Sequence, residues 1–430
     1  MKNKWLIFLV LALFCPIFVV GQNISITGKT NVPNALVRLL TFDEMLTCEQ
    51  TKVAETQSDK DGKFTLKTEI KEITPAQIAI NLERVDIILS PGGKYDLEIS
   101  ILEQNEGSYF EREQPSLGIN KIEDNDLFLQ YIDIQSYIDD YLYQNFNSIY
   151  RGKKVFLLDT LDNQIVRNFG KIENKYIKDF IKYRKASVLM TINRKKTLSE
   201  YFDNQEVLYS QSAYMDVLTE LFNTNGRDDD FLSRNWQIKE LVEMMNLRKS
   251  YNAYPQNKKQ VQNTLEQIEK TSKSLKNRIV AKNYIKQINE LSYDSKAPFF
   301  SLKDKDGNTV QLSDYQDDMV LLQFVDHLTP LLEHEFSTLN TLKKQWNDTI
   351  QVITIATKES FDEYLQLFEK QGYKWKLLNL NFNILLLEEY HIKTYPAYVI
   401  LKKKNRIGMA PAPSPEKNLD NHVRRISKYL

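Results

Sequence analysis

The chain has 430 residues, of which 42% are hydrophobic, and it carries 57 basic and 57 acidic side chains. At roughly 100 to 200 residues per domain, this length predicts two to four domains. The balanced charge creates no overall field that would attract nucleic acid or an anionic membrane, so nucleic acid is excluded as an expected partner.

Residues 1–21 have the pattern of a secretory signal peptide. Lys2 and Lys4 precede an apolar run over residues 5–20, and Gly21 follows as a small residue suited to cleavage. The run is shorter than the ~20 residues that span a bilayer, and a proline interrupts it, so a retained membrane anchor is the less favoured alternative. We therefore expect an exported protein of the periplasm or cell envelope that has no membrane span after cleavage.

The sequence contains two cysteines, Cys15 and Cys48. Cys15 lies in the predicted signal peptide and follows the bulky Phe14, where a lipoprotein signal has a small residue, so lipidation is disfavoured. After cleavage Cys48 is alone, which excludes an intramolecular disulfide. A lone cysteine in a strand-rich segment is expected to be a small buried hydrophobe, with pairing to another chain as the alternative.

Residues 22–104 are predicted to form a small antiparallel β-sandwich. Apolar residues alternate with polar ones, and turn signals separate the short runs. Asp61-Gly62 lies between two such runs and predicts a hairpin turn. A calcium loop starting at Asp59 is disfavoured because its twelfth position is Ile70, where a glutamate is required.

Residues 120–292 are predicted to be helical. Apolar side chains recur at helical spacing, and the many tyrosines are expected to pack in the core or between helices. The stripe at the start of this region is Leu127, Tyr131, Ile134, Ile138, Tyr141 and Leu142. A break at 252–257 predicts a turn between helices, and residues 263–291 predict a single charged amphipathic helix. Neither this region nor the rest of the chain shows an internal repeat.

Residues 295–430 predict a compact α/β domain. A hairpin turns at Asp306-Gly307, and the run 319–325 is apolar enough for a central strand covered on both faces. A helix over 330–346 follows, and then strands alternate with helices up to a closing hairpin and a last helix. The whole chain is thus expected to be an α+β multidomain protein.

The C-terminal domain resembles the peroxiredoxin and TlpA/ResA-like thioredoxin family, which is related to AhpC/TSA proteins. The resemblance rests on the segments Ala297-Pro298-Phe299-Phe300-Ser301-Leu302, Val310-Gln311-Leu312-Ser313-Asp314-Tyr315 and Tyr395-Pro396-Ala397-Tyr398-Val399-Ile400. It covers nearly all of residues 295–430 and implies a thioredoxin-like fold. The layout of a β domain before a helical stretch is also similar to secreted thioredoxin-like proteins with a transthyretin-like N-terminal module.

The chain departs from this family at the catalytic motif. Family members place Cys-x-x-Cys at the start of the helix after the central strand, whereas this chain has Thr329, Pro330, Leu331 and Leu332. The chemistry needs a thiolate and a second thiol to resolve the mixed disulfide, and neither is present. Threonine as N-cap and proline at the first helical position are the simplest interpretation of the pair. A helix start that binds an anion or a carbonyl group is the alternative.

The resemblance implies a second surface at the loop before the last buried strand. Pro396 matches the cis-proline of the family, and Tyr395 matches the residue whose backbone binds an extended peptide. Tyr395 and Pro396 are therefore candidate binding residues, with strand addition as the expected mode. The alternative is that Pro396 serves only the packing of the fold.

A metal site is the weakest candidate in the sequence. His327, Glu333, His334 and His391 are near the helix start or the proline loop, but they lack ligand spacing, and the segment 333–335 is expected to be a solvated helix face. No phosphate loop or other cofactor motif occurs, so no metal and no cofactor are expected.

Two functional hypotheses follow from these features. The first is an exported, non-catalytic thioredoxin-fold protein with a binding or scaffolding role toward a polypeptide partner in the cell envelope. The second is a thiol-disulfide oxidoreductase or peroxiredoxin-like enzyme, which would have to work through Cys48 or through cysteines of a partner. Nothing in the sequence assigns an oligomeric state.

Overall fold

The structure of the protein is a computed structural model. It describes residues 22–101, 115–122, 127–223, 228–346, 349–358, 360–381 and 383–428. The chain divides into two compact units, Met1–Arg234 (unit 1) and Asn235–Leu430 (unit 2). The predicted signal peptide, residues 1–21, lies outside the described residues. None of the described helices is both long and apolar enough to cross a membrane.

Unit 1 begins with two four-stranded sheets. Their strands are β1 Gln22–Thr30, β2 Leu36–Phe42, β3 Gln50–Gln57, β4 Lys63–Ile70, β5 Thr74–Ile80, β6 Glu83–Leu89, β7 Lys94–Ser100 and β8 Ser116–Ile122. The strand orders are β4-β1-β7-β8 and β3-β2-β5-β6. The fully antiparallel prediction is wrong at one pair, because β1 and β7 run parallel. The sheet also continues past residue 104, since β8 pairs with β7.

The turn at Asp61-Gly62 connects the two sheets and is not the predicted hairpin. It joins β3 of one sheet to β4 of the other, and the two strands do not pair. Asp59 Oδ1 accepts hydrogen bonds from the backbone N–H groups of Asp61 (2.9 Å) and Lys63 (2.8 Å). Such a carboxylate turn is locally the same in a hairpin and in a crossover, so the local sequence does not distinguish them.

Gly62 is required at this crossover for two reasons. Its φ is 78°, and a Cβ atom would lie 1.8 Å from the backbone oxygen of Thr30. We expect Gly62→Ala to lower the free energy of unfolding of unit 1 by more than about 1 kcal/mol, since strain and a backbone clash add. Gly372→Ala is the control, because Gly372 has a φ of 68° but no atom near the position that a Cβ atom would take. It should lower the free energy of unfolding of unit 2 by a smaller amount. Urea unfolding of both variants makes the comparison, and equal losses would contradict the role of the Thr30 contact.

The helices of unit 1 follow the sheets. They are α1 Leu127–Gln144, α2 Phe156–Phe169, α3 Lys175–Ile192, α4 Arg194–Thr197, α5 Ser212–Asn223 and α6 Asp229–Arg234. The predicted stripe on α1 is buried except for the partly buried Tyr131. Tyr183 and Tyr214 are also buried, with ring centroids 4.7 Å apart, so these tyrosines pack in the core as predicted.

Unit 2 begins with three helices, α7 Trp236–Ala253, α8 Lys258–Thr271 and α9 Leu275–Asn289. The prediction of one helix over 263–291 is wrong, because the chain breaks between α8 and α9. Ser274 is the N-cap of α9 and accepts a hydrogen bond from the N–H of Asn277 at 3.2 Å. Ser272 donates to Glu240 Oε2 at 2.6 Å, which holds the break against α7. Serine competes with helix continuation through such bonds.

The remainder of unit 2 is a seven-stranded sheet with helices. Its strands are β9 Ser301–Asp304, β10 Thr309–Gln311, β11 Met319–Val325, β12 Ile350–Ala356, β13 Lys376–Asn379, β14 Ala397–Lys402 and β15 Arg406–Ala412. Its helices are α10 Pro330–Gln345, α11 Phe361–Gln371, α12 Ile384–Glu389 and α13 Leu419–Ser427. The order is β10-β9-β13-β12-β11-β14-β15, and all seven residues of β11 are buried, as predicted for the central strand.

Candidate functional site

The candidate site lies at the carboxyl end of the central strand β11. Ligands in open α/β sheets bind outside this end of the strands. Three contacts fix the segment between β11 and α10: Tyr364 donates to Asp326 O at 2.6 Å, Thr357 donates to Asp326 Oδ1 at 2.6 Å, and Leu328 N–H donates to Glu363 Oε2 at 3.1 Å. The start of α10 is therefore held in place by the start of α11.

Thr329 is the N-cap of α10, as predicted. Its Oγ1 accepts a hydrogen bond from the N–H of Leu332 at 3.2 Å, and its carbonyl oxygen accepts from Glu333 N–H at 2.9 Å. Pro330 has no N–H, so within the described structure Leu331 alone keeps a first-turn N–H without a bond. The threonine side chain takes one of the donors at this helix start and Pro330 offers none, which disfavours the anion-binding alternative.

The four motif residues differ in exposure. Leu332 is buried in the core beneath the helix, and Thr329 is half-buried. Leu331 is 63% exposed although it is a large apolar residue, and Pro330 beside it is also exposed. The helix start therefore presents an apolar surface.

The Tyr395-Pro396 peptide bond is cis. The next residue, Ala397, begins β14 and pairs with Phe324 of β11 in antiparallel register. Because Phe324 is close to the carboxyl end of β11, this register brings the loop 395–396 to the same end of the sheet as residues 329–332. Tyr395 and Pro396 are both half-buried. The structure thus places the two sets of residues that the sequence singled out at the same end of the sheet.

The structure does not assemble the histidines into a metal site. His334 Nε2 lies 3.2 Å from Glu416 Oε1, and His391 Nε2 lies 3.5 Å from Glu290 Oε2. A hydrogen bond with His391 lowers the pKa of Glu290. In the part of the chain that the structure describes, no three His, Cys, Asp or Glu side chains are close enough together to hold a metal ion.

A chain of buried polar groups lies behind the helix start. Tyr398 donates to Glu335 Oε2 at 2.5 Å and accepts from Gln323 Nε2 at 3.2 Å. Beyond Gln323, the chain continues through the hydroxyl of Thr354, at 2.9 Å, to the indole N–H of Trp375, at 3.0 Å. Burial and the nearby Glu335 carboxylate raise the pKa of Tyr398. The network connects α10 to the core of the sheet.

The prediction of a solvated face at 333–335 is wrong for Glu335, which is only 8% exposed, whereas Glu333 and His334 are exposed. Helical spacing indicates the burial of Glu335, since residue 335 is three positions after Leu332 and four before Leu339. All three residues lie on the buried face of α10. A carboxylate at an apolar position of the helix therefore indicated a buried partner, which is Tyr398.

Cys48 is exposed in the loop between β2 and β3 of unit 1, so the prediction of a buried cysteine is wrong. Its φ of 52° places it in a tight turn, where its Sγ donates to Met45 O at 3.4 Å. Partial burial of the thiol, followed by the carboxylates of Glu44 and Asp216, raises its pKa. The thiol is thus disfavoured as a thiolate, which is the form that attacks disulfides and peroxides.

A model of the AhpC/TSA family matches residues 293–409. No curated protein matches the chain. Solved structures that match include the thioredoxin domain of a thiol-disulfide oxidoreductase from Bacteroides vulgatus, at 21% identity over 31% of this chain and 96% of that chain, with a TM-score of 0.29. A thiol:disulfide interchange protein from Bacteroides sp. is 21% identical over 32% of this chain and 90% of that chain, with a TM-score of 0.29.

A secreted Mycobacterium tuberculosis disulfide oxidoreductase is also similar, at 16% identity over 29% of this chain and 95% of that chain, with a TM-score of 0.25. The family match covers the central strand, α10 and the proline loop. The predicted resemblance of the C-terminal domain to AhpC/TSA and thioredoxin-like proteins is therefore confirmed. The predicted α+β multidomain architecture is confirmed as well.

Proposed function

We propose that the protein is an exported binding protein of the cell envelope whose unit 2 recognises an extended segment of another polypeptide without thiol chemistry. The observation that carries the proposal is the composition of the helix start, where an N-cap threonine and an exposed leucine occupy the place of the redox motif. The binding surface consists of Leu331 and the loop 395–396.

The chemistry of this surface supports a peptide rather than a charged small ligand. Thr329 satisfies the N–H of Leu332 with its side chain, and Leu331 exposes apolar area at the end of the sheet where the loop 395–396 also lies. An exposed apolar side chain next to a fixed loop can contact alternate side chains of an extended peptide. Such a complex is held by contacts alone, since unit 2 contains no cysteine.

A thiol-disulfide oxidoreductase or peroxiredoxin-like enzyme is the second candidate, and the AhpC/TSA match to residues 293–409 favours it. This candidate needs a thiolate. After signal cleavage the sequence leaves Cys48, which belongs to unit 1 and has a raised pKa. A binding function therefore accounts for residues 329–332 without a thiolate, whereas an enzyme would need one from outside unit 2.

Substitution of Leu331 tests the proposed surface. Peptides selected from a random library on the natural protein should lose about tenfold or more in affinity for Leu331→Asp, because a charge replaces a central apolar contact. Leu275→Asp is the matched control, since Leu275 is 72% exposed on α9, elsewhere in unit 2. Fluorescence polarisation measures both affinities. Equal affinities for the two variants, or a library that yields no binder, would contradict the proposal.

A further inference from the structure

The hairpin between α1 and α2 of unit 1 carries a local positive charge that the neutral chain as a whole lacks. We define the hairpin tip as residues 141–158. This segment contains no acidic residue, and its three basic residues are Arg151, Lys153 and Lys154. All three are exposed, and none forms an ion pair with a described residue.

The acidic residues nearest to the tip are partly neutralised. Asp139 of α1 pairs with Arg184, and Asp162 of α2 pairs with Lys185, both partners lying on α3. Asp140 and Asp159 remain at the two borders of the tip, and both are exposed. The basic residues therefore lie in the connection between α1 and α2, and the paired carboxylates of Asp139 and Asp162 lie against α3.

The tip also exposes large aromatic side chains. Tyr143 is 84% exposed, Phe146 is 49% exposed and Phe156 is 61% exposed. Among the described residues of unit 1, one further large apolar side chain, Val166, is as exposed as these. Three exposed aromatic rings thus occur within a stretch of 14 residues, which is more than the single scattered apolar residues of an ordinary surface.

The tip is a fixed turn. Ile149 is fully buried beneath it, and Tyr141 donates to Leu157 O at 2.8 Å, which ties the end of α1 to the start of α2. The N–H of Gly152 donates to Asn147 O at 2.9 Å, and the ring of Phe146 lies 4.7 Å from that of Tyr150. The exposed aromatic and basic side chains thus belong to one ordered turn.

We propose that the hairpin tip docks the protein on an anionic phospholipid surface. Aromatic rings partition into the headgroup region of a bilayer, and lysine and arginine beside them pair with lipid phosphates. The combination of aromatic rings and basic residues favours a lipid surface as the binding partner. Apolar rings without charge would favour a protein groove, and charge without rings would favour any polyanion.

Vesicle co-sedimentation tests the proposal with the protein from residue 22 onward, because the apolar run before it would itself enter a bilayer. Vesicles of phosphatidylglycerol and phosphatidylcholine should bind the protein at low salt, and pure phosphatidylcholine should not. Arg151→Glu/Lys153→Glu/Lys154→Glu should weaken binding by about a hundredfold or more, from the loss of three favourable charges. Phe146→Ser/Phe156→Ser should weaken binding and leave its salt dependence in place.

The matched control is Lys60→Glu/Lys67→Glu/Lys71→Glu, which makes the same change of net charge at exposed lysines in and near β4. It should reduce binding far less than the tip variant. Circular dichroism of each variant shows whether it is folded. The proposal is overturned if phosphatidylglycerol vesicles do not bind the natural protein, if the two charge variants lose binding equally, or if the double serine variant binds as well as the natural protein.

Discussion

Tyr398→Phe should lower the free energy of unfolding of unit 2 by about 3 kcal/mol, because it leaves the buried Glu335 carboxylate without its hydroxyl donor. The donor lies 2.5 Å from Glu335 Oε2, and Glu335 is only 8% exposed, so water does not readily replace it. Gln323 loses an acceptor for its side-chain amide in the same variant. Urea unfolding followed by tryptophan fluorescence measures the loss.

A double-mutant cycle separates this network from general packing. Glu335→Leu combined with Tyr398→Phe removes both partners, so the double variant should be destabilised by less than the sum of the single variants. Tyr390→Phe is the tyrosine control, because that hydroxyl donates to a backbone carbonyl, Pro298 O, at 2.8 Å. It should cost about 1 kcal/mol. Additive losses in the cycle would show that Glu335 and Tyr398 do not stabilise each other.

The network also indicates where sequence analysis succeeds and where it does not. The central strand over 319–325 and the capped start of α10 could be predicted, because apolar runs and caps are local signals. The charged neighbours of Glu335 predict a solvated face, whereas its side chain is buried. Helical spacing places Glu335 on the buried face of α10. Its hydrogen-bond partner Tyr398 is 63 residues away in the sequence, so no local rule identifies that partner.

The errors in unit 1 have a related cause. Asp61-Gly62 has the chemistry of a hairpin turn, and the structure uses the same chemistry to pass from one sheet to the other. The parallel pairing of β1 with β7 follows from such crossovers, and it depends on contacts between strands about 70 residues apart. Cys48 was predicted to be buried from its strand-rich surroundings, but it lies in the loop between two strands and at positive φ.

Thr329→Cys/Leu332→Cys should give the protein a disulfide-reductase activity. The half-buried position 329 at the helix start would hold the attacking thiolate, because the partial positive charge of a helix N-terminus lowers the pKa of a cysteine below its ordinary value of about 8.5. Position 332, buried one turn further on, would supply the resolving thiol. The loss of the cap and of a core leucine costs stability, so circular dichroism must show a folded variant.

The single variant Thr329→Cys is the control for this experiment. It has an attacking thiol without a resolving thiol, so it should form a mixed disulfide with insulin and not turn over. Turnover by the single variant equal to that of the double variant would show that the second position does not act as the resolving thiol. An inactive but folded double variant would show that the helix start is not the equivalent of the redox motif.

Insulin reduction and peroxide consumption by the natural protein, beside Cys48→Ser and the double cysteine variant, test the central claim of binding without thiol chemistry most directly. We expect the natural protein and Cys48→Ser both to give the rate of the reductant alone, and the double variant alone to reduce insulin. A natural protein that reduces insulin or consumes peroxide, with the activity lost in Cys48→Ser, would contradict the account and assign the chemistry to unit 1.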